Sequence, residues 1–575
     1  MNQKQKNLDQ ILETLLKNRG LIYAKDIEEF FKPPHPTTLE EKEWSINKLQ
    51  LKKALKRVKE ALEKKEKIIV YGDYDVDGIC ASAILWETLK SLGADVLPYI
   101  PSRFSEGYGL NIDSIKTLIK DDPSIKLIIT VDNGIVANEK VEEAVELGLD
   151  IIITDHHIPG AVLPNAYAII HTTKVCGAAV AWFFSQALLS TFQPHRQSAS
   201  TSDLSASPVG RQPPSDHLGL AALGTVTDVL PLIGLNRSIV VHGLKELQKT
   251  SRYGVVAVCE ESGVKQEEID TFHIGFVIGP RLNASGRLEH AMDSLRTICT
   301  QNPIRARDLA SKLGQTNKVR QDKTQETLDH VNDFFGPTWA EGSLPKVLLA
   351  HHESYDEGIV GIVAGRLVEK YGRPAVVMSQ GIEISKGSAR SLMGVNIIEV
   401  IKEAGGGLLV TAGGHPMAAG FSLKTKDLDL FAAKLQEAAE RSVKTETLVK
   451  NVRVDCELEL DDITQDLYNK ILLFRPFGYG NPEPTFKSQT KIESSRTVGK
   501  DNSHLKLVLS GGSMLWDAIG FRMGELDKNL KKNKEISIVY SVEEDTWPAR
   551  NASASVAGGN GKKKLQLKLK NIANP

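Results

Sequence analysis

From Ile68 onward, short apolar runs alternate with longer stretches whose apolar positions recur every three or four residues. The runs are IIVY, VLPYI, LIITV, IIIT and AII, and NEKVEEAVELG is typical of the stretches between them. A short continuous apolar run reads as a buried strand and the 3–4 spacing as an amphipathic helix. The alternation therefore predicts an α/β domain with a parallel sheet and helices on both faces.

The flanking regions carry other patterns. The chain opens with a helical pattern that stops at FFKPPHP, where Pro33, Pro34 and Pro36 break it, and a lysine-rich helix INKLQLKKALKRVKEALEKKEK follows. A segment from about Arg305 to Phe334 predicts a long connector helix. A second strand-helix unit starts at PKVLLA and runs through GLLVTAGGHPMAAGFSL. From about Lys450, short alternating strands (VRVDCELEL, HLKLVL, LQLKLKNI) predict a small β-barrel, with TWPARNASASVAGGNGKK as a loop between two of them. STFQPHRQSASTSDLSASPVGRQPPSDH is rich in Ser, Pro and Gln, has little to bury, and predicts a flexible surface insertion at about 191–216. The expected organisation is an N-terminal helical segment (1–45), a catalytic α/β domain (46–300), the connector (301–338), a smaller α/β domain (339–445) and the barrel (446–575).

Composition narrows the picture. The formal net charge of −1 requires that any polyanion be met by a local basic groove. Five scattered cysteines, none in a Cys-x-x-Cys pair, argue against a disulfide framework and a structural zinc site and fit a reducing cytoplasm. No apolar run is long enough to span a bilayer, and MNQKQKNLDQ is too polar for a secretory signal.

The candidate chemistry sits where strands end. In IIVYGDYDVDG, Asp73, Asp75 and Asp77 occupy alternate positions, so in an extended backbone their carboxylates share a face. Three adjacent like charges repel unless a cation sits among them. LIITVDNG ends in Asp132, IIITDHH in Asp155, His156 and His157, and LGTVTDVLPL supplies Asp228. A lone Asp-x-Asp is usually a turn or a helix cap. Four such motifs, three of them at strand ends, point instead to a metal centre at the sheet's carboxyl rim. Carboxylates mixed with imidazole favour manganese, cobalt or zinc, and several carboxylates suit two ions that clamp a phosphoester and activate a water.

In order, DYDVDG, VDNG, TDHH and GTVTDVLPL resemble the four motifs of the DHH phosphoesterases. PSRFSEGYGLN, PRLNASGRLE, GIVGIVAGRLVEKYGRPAVV, GSARS, GGHPMAAGF and RPFGYGNPEPTF extend the resemblance to the RecJ branch, from about Ile68 nearly to the C-terminus. The resemblance implies a DHH domain, a DHH-associated domain and an OB barrel. It implies a 5′-to-3′ exonuclease that degrades single-stranded DNA to mononucleotides with two divalent ions, manganese or magnesium, in repair and recombination. It further implies a monomer, with single-strand binding protein and a helicase as partners. Carried over residue by residue, Asp73, Asp75, Asp77, Asp132, His156, His157 and Asp228 form the metal and catalytic set, with His157 alternatively on the scissile phosphate. One departure is Tyr71, which stands where many DHH enzymes have a metal-binding histidine.

Phosphodiester substrates require cations and amide donors. Arg103, Arg281, Arg287, Gln321, Ser388 and Arg390, with Gly413, Gly414 and His415, are the expected substrate contacts. In the barrel, Phe474, Phe477, Tyr479, Phe486 and Trp547 are available for stacking, with Lys500, Lys506 and KKKLQLKLK as cations; in LQLKLK, Gln566 and Lys568 are expected on the solvent face. Two alternatives stay open: a DHH hydrolase of short oligoribonucleotides or small phosphorylated nucleotides, and a non-catalytic DNA-binding scaffold.

Overall fold

The structure is a computed structural model and describes residues 3–107, 109–192, 216–334, 344–448, 451–499, 501–511, 514–545 and 564–573. Most of the expected Ser/Pro/Gln insertion, together with Lys500 and Trp547, lies outside the described residues.

Helices α1 (Gln3–Lys17) and α2 (Ala24–Phe31) precede the proline cluster. The lysine-rich segment forms α3 (Lys48–Lys64), started by the Asn47 side chain, which accepts from Leu49 N and Gln50 N. Strands β1 (Lys67–Tyr71), β2 (Val96–Tyr99), β3 (Ile125–Val131), β4 (Asp150–Asp155) and β5 (Ala168–His171) then build a sheet in the order β2-β1-β3-β4-β5. Every pairing in it is parallel. The strand order reverses between β1 and β3, and such a reversal opens a crevice at the carboxyl ends of the strands.

Helices α4 (Val76–Ser91), α5 (Gly177–Phe192) and α6 (His217–Thr227) are apolar nearly all round and correspondingly buried. Helix α7 (Gly279–Leu288) leads toward the connector α8 (Pro303–Phe334), a continuous helix of 32 residues. The second sheet contains β6 (Leu348–His352), β7 (Ala375–Ser379), β8 (Ile384–Arg390), β9 (Leu409–His415) and β10 (Ala418–Lys424), in the order β6-β7-β8-β10-β9. Only β6 and β7 pair in parallel, and β9 is an exposed edge.

The last section closes on itself. Strands β12 (Phe486–Val498), β13 (His504–Gly511), β14 (Met514–Gly520), β15 (Glu535–Glu544) and β16 (Leu565–Ala573) pair around a barrel, sealed by β12–β15, while β11 (Cys456–Glu457) adds a short parallel edge. The expected strand VRVDCELEL therefore shrinks to two residues. Leu458 and Leu460 instead turn into the barrel's apolar cluster through the 3-10 turn Leu460–Asp462.

Two compact units result. One comprises Ser45–Asp228 and Gly243–Lys450; the other joins Met1–Trp44, Val229–His242 and Asn451–Pro575. In the second unit Ile11, Leu15 and Phe30 share an apolar cluster with Leu467, Phe474 and Phe486. Arg237 is fully buried there, donating to the carbonyl oxygens of Phe30, Phe474 and Arg475 at 2.6, 3.3 and 2.8 Å. Among the described residues no helix is long and apolar enough to cross a membrane.

Candidate metal centre and anion pocket

All seven residues expected at the metal centre lie in the first unit, and the structure brings them together. Asp73 and Asp75 follow β1 directly, and Asp75 caps α4 by accepting from Gly78 N at 3.0 Å. Asp77 lies in the first turn of α4, and its two oxygens accept from Gly177 N at 2.6 Å and Ala178 N at 2.8 Å, at the start of α5. Asp132 follows β3 in the left-handed backbone region, φ 63°, a conformation Asp tolerates better than most residues. Asp228 stands at the carboxyl end of α6, not on a strand.

His156 is the hub of the cluster. Its Nε2 lies 3.1 Å from Asp132 Oδ1, 3.6 Å from Asp228 Oδ2 and 3.7 Å from Asp77 Oδ2. Three groups, Asp132–His156–His157, Asp77–His156–Asp228 and Asp73–Asp75–Asp132, each place one donor atom per residue within 4.8 Å of the others. Burial, and then the neighbouring carboxylates, push Asp73, Asp75 and Asp132 upward and Asp228 up to about 8. Among the described residues, the buried Oδ1 atoms of Asp73 and Asp132 have no hydrogen-bond partner. Buried carboxylates that repel one another and leave oxygens unsatisfied fit a divalent cation, which answers both penalties.

Asp155, quoted in the motif but not counted as a site residue, organises the histidines. Its Oδ1 accepts from His156 N at 2.7 Å, His157 N at 3.1 Å and His157 Nδ1 at 2.8 Å, and its Oδ2 accepts from Ile135 N at 2.9 Å. Burial works against protonating His157, but the hydrogen bond and charge of Asp155 outweigh it and hold the imidazole at about 9. Burial pushes His156 down, the direction a neutral ligand requires. Tyr71 supplies no ligand: its hydroxyl accepts from Asn111 N at 3.1 Å within the apolar cluster of the sheet.

Beside the carboxylates stand four guanidinium groups. Burial, then Arg103, Arg320 and Arg390, lower Arg287 to about 10. Among the described residues none of these four is in an ion pair; Arg287 reaches Gly358 O at 3.4 Å, Arg390 reaches Ala389 O at 3.0 Å, and Arg320 reaches Asn317 Oδ1 at 3.1 Å. Like charges packed together without carboxylate partners describe an anion site. Arg320 was passed over in the sequence in favour of its neighbour. Gln321 is exposed on the outer face of α8, while Asn317 and Arg320 face inward.

The remaining expected contacts divide. Ser388 and Arg390 share β8, whereas Arg281 is turned away and held by Glu261 at 2.6 Å. His415, Ala418 and Arg390 lie in one row across β9, β10 and β8, so His415 and Arg390 point to the same face about two strand spacings apart. Gly413 and Gly414 are exposed on the β9 edge. Asn283 of α7 was also missed; its Oδ1 accepts from Val76 N at 3.0 Å and holds the loop that carries Asp75. In the barrel, Phe474 and Phe486 are core, Phe477 packs against it and Tyr479 is exposed. Gln566 is buried rather than solvent-facing, because Lys506 and Glu543 both hydrogen-bond its amide.

Comparison with known proteins places this geometry among relatives. Three family profiles match, described as the DHH family N-terminal domain at 67–225, the DHHA1 domain at 344–441 and the RecJ OB domain at 454–571. The chain is 34% identical over 535 residues to the single-stranded-DNA-specific exonuclease RecJ of Bacillus subtilis, a match covering 91% of this chain and 63% of that one. It is 30% identical to the protein of that name from Haemophilus influenzae, covering 93% of each. The crystal structure of Thermus thermophilus RecJ with Mn2+ superposes with a TM-score of 0.79 at 28% identity, over 98% of this chain and 75% of that one. The Mg2+ complex gives 0.73 at 26% identity, over 98% and 74%.

Proposed function

The chain belongs to the RecJ family of single-stranded-DNA-specific exonucleases, and from that premise we propose that it degrades single-stranded DNA from the 5′ end to mononucleotides, with two divalent ions at the carboxylate-histidine cluster. The observation that carries the reading is the juxtaposition of that cluster with four arginines that lack carboxylate partners among the described residues, one polar pole for cations beside another for a phosphate.

Asp73, Asp75, Asp77, Asp132, His156 and Asp228 would hold the metal, and His157 takes its alternative role on the phosphate. Asp132 and His156 each belong to two of the three donor groups, so the donors form one continuous cluster with more carboxylate oxygens than a single ion would take up, which supports two ions. Bound there, manganese or magnesium supplies Lewis acidity toward the phosphate and makes water acidic enough to attack at neutral pH. The protein does the rest. Arg103, Arg287, Arg320 and Arg390, with Ser388 and His415, bind the terminal phosphate and set the register of the strand. His157, held by Asp155 and protonated below about pH 9, offers Nε2–H to an oxygen of the scissile phosphate as negative charge builds on it. Asn283 fixes the Asp75 loop, and the buried setting strengthens each of these interactions. The barrel supports a long strand over a dinucleotide as substrate. We further read the protein as a cytoplasmic monomer of repair and recombination, working with a helicase and single-strand binding protein.

The test is digestion of long single-stranded DNA, labelled separately at each end, in manganese, with Asp132→Ala as control. Dinucleotides and 3′-phosphoadenosine 5′-phosphate run in parallel. Mononucleotides released first from the 5′ label, and lost in the variant, are expected. Cleavage confined to the small substrates would place the chain with the oligonucleotide hydrolases; strand binding without hydrolysis in any metal would make it a scaffold.

A further inference from the structure

Ahead of α7 the backbone widens into a single π-helical turn, Ile274–Ile278, entered from the short helix Thr271–His273. Asp270 fixes the entry by accepting from His273 N, while Asp270 N donates to His273 Nδ1. Ile274, Ile278 and Leu282 form the buried face of this run. Elsewhere on it, Phe272, Phe276, Pro280, Asn283 and Arg287 follow at spacings of four, four, three and four and so share one stripe.

The two ends of the stripe differ. At one end stand Asn283, bonded beside Asp75, and Arg287 of the anion pocket. At the other, Phe272 is 59% and Phe276 71% exposed, their rings stacked with centroids 5.2 Å and planes 27° apart. Packing explains the isoleucines; it does not explain two large aromatic rings left in water. π-turns of this kind gather at functional sites.

We propose that Phe272 and Phe276 form a base-stacking platform for single-stranded DNA approaching the metal centre. The proposal rests on the exonuclease reading and deepens it. An exposed aromatic face suits any nucleobase and so gives no sequence preference. Phe276 precedes Asn283 by seven residues and Arg287 by eleven, or about 10 and 16 Å along a helix axis. One stripe thus offers rings to bases and a guanidinium to phosphate, within the span of a few nucleotides. That continuity with the anion pocket favours a nucleic-acid strand over a protein partner as the occupant.

The test is anisotropy of fluorescein-labelled oligo-dT with the full chain in EDTA, which separates binding from hydrolysis. Phe276→Ala is expected to weaken binding about tenfold, within the range for one lost base stack, and Phe276→Trp to restore it. The salt dependence of the dissociation constant keeps its slope, since the rings neutralise no phosphate. With an oligonucleotide of abasic residues, wild type and Phe276→Ala converge. Full affinity in both Phe276→Ala and Phe272→Ala overturns the proposal. So does a loss that Trp fails to restore, or a change in sedimentation at unchanged affinity, which would assign the rings to a contact between chains. If wild type hydrolyses nothing yet binding still depends on Phe276, the platform stands and the exonuclease reading falls.

Discussion

A β-carbon on Gly177 would lie 2.5 Å from Asp132 Oδ1, and one on Gly224 2.3 Å from Asp77 Oδ1. No packed interior accommodates such approaches, so an added methyl must displace the carboxylate. Gly177→Ala is expected to weaken manganese binding about 10- to 100-fold by calorimetry, as losses of supporting groups around a metal do. The carboxylates also oppose one another without metal. Asp132 is pushed well above the usual range by burial and then by Asp77, Asp75 and Asp73, so the folded chain holds its proton more tightly than the unfolded chain. Stability is then lost as pH rises above the unfolded value, and at neutral pH the ionised group is a burden. In EDTA at pH 7.5, Asp132→Asn should therefore melt higher than wild type. Manganese at a hundred times its dissociation constant should add about 2.7 kcal/mol to wild type and far less to the variant. The aspartates were legible because each follows a recognisable apolar run. The glycines were not, since their necessity arises from a neighbour distant in sequence. Arg320 was missed because the phase of a long helix is undefined until its packed side is known.

At the scale of elements, α4 is anchored at both ends. Its first turn carries the site, and near its last turn Glu87 accepts from Arg252 Nη1 at 2.8 Å and pairs with His217 Nε2 of α6 at 2.9 Å, while Asp216 takes Arg252 Nη2 at 2.9 Å. Burial would raise Glu87, yet the bonds from His217 and Arg252 hold it at about 2. A depressed carboxylate contributes stability above its unfolded value near 4.5 and loses it as pH falls toward 2. Glu87→Gln should cost about 3–5 kcal/mol in urea unfolding at pH 7, because it leaves Arg252 under-compensated. The gap to wild type should narrow as pH falls from about 4.5 to about 2. The five parallel strands were readable from their apolar runs. VRVDCELEL was over-read, because alternation also fits a segment that bends to feed successive side chains into one cluster.

Over the whole molecule, two units predict two calorimetric transitions, of which manganese should raise only the one belonging to Ser45–Asp228 and Gly243–Lys450. A single transition shifted as a whole would contradict that division. The sequence did show the barrel and both α/β regions, each with its own local period. It did not show that the N-terminal helices belong with the barrel, because contacts between residues more than four hundred positions apart leave no local pattern. That arrangement has a consequence for how the molecule is made. Helices α1 and α2 leave the ribosome roughly four hundred residues ahead of the barrel segment that completes their unit, a wait of about 20–80 s at ordinary synthesis rates, with only Val229–His242 arriving in between. For that interval Ile11 and Leu15 are apolar surface that a chaperone can meet. The unit with the candidate metal centre, complete at Lys450, can meanwhile fold and bind metal. Each nascent chain thus acquires its cutting centre before it finishes the barrel that would bind the strand to be cut.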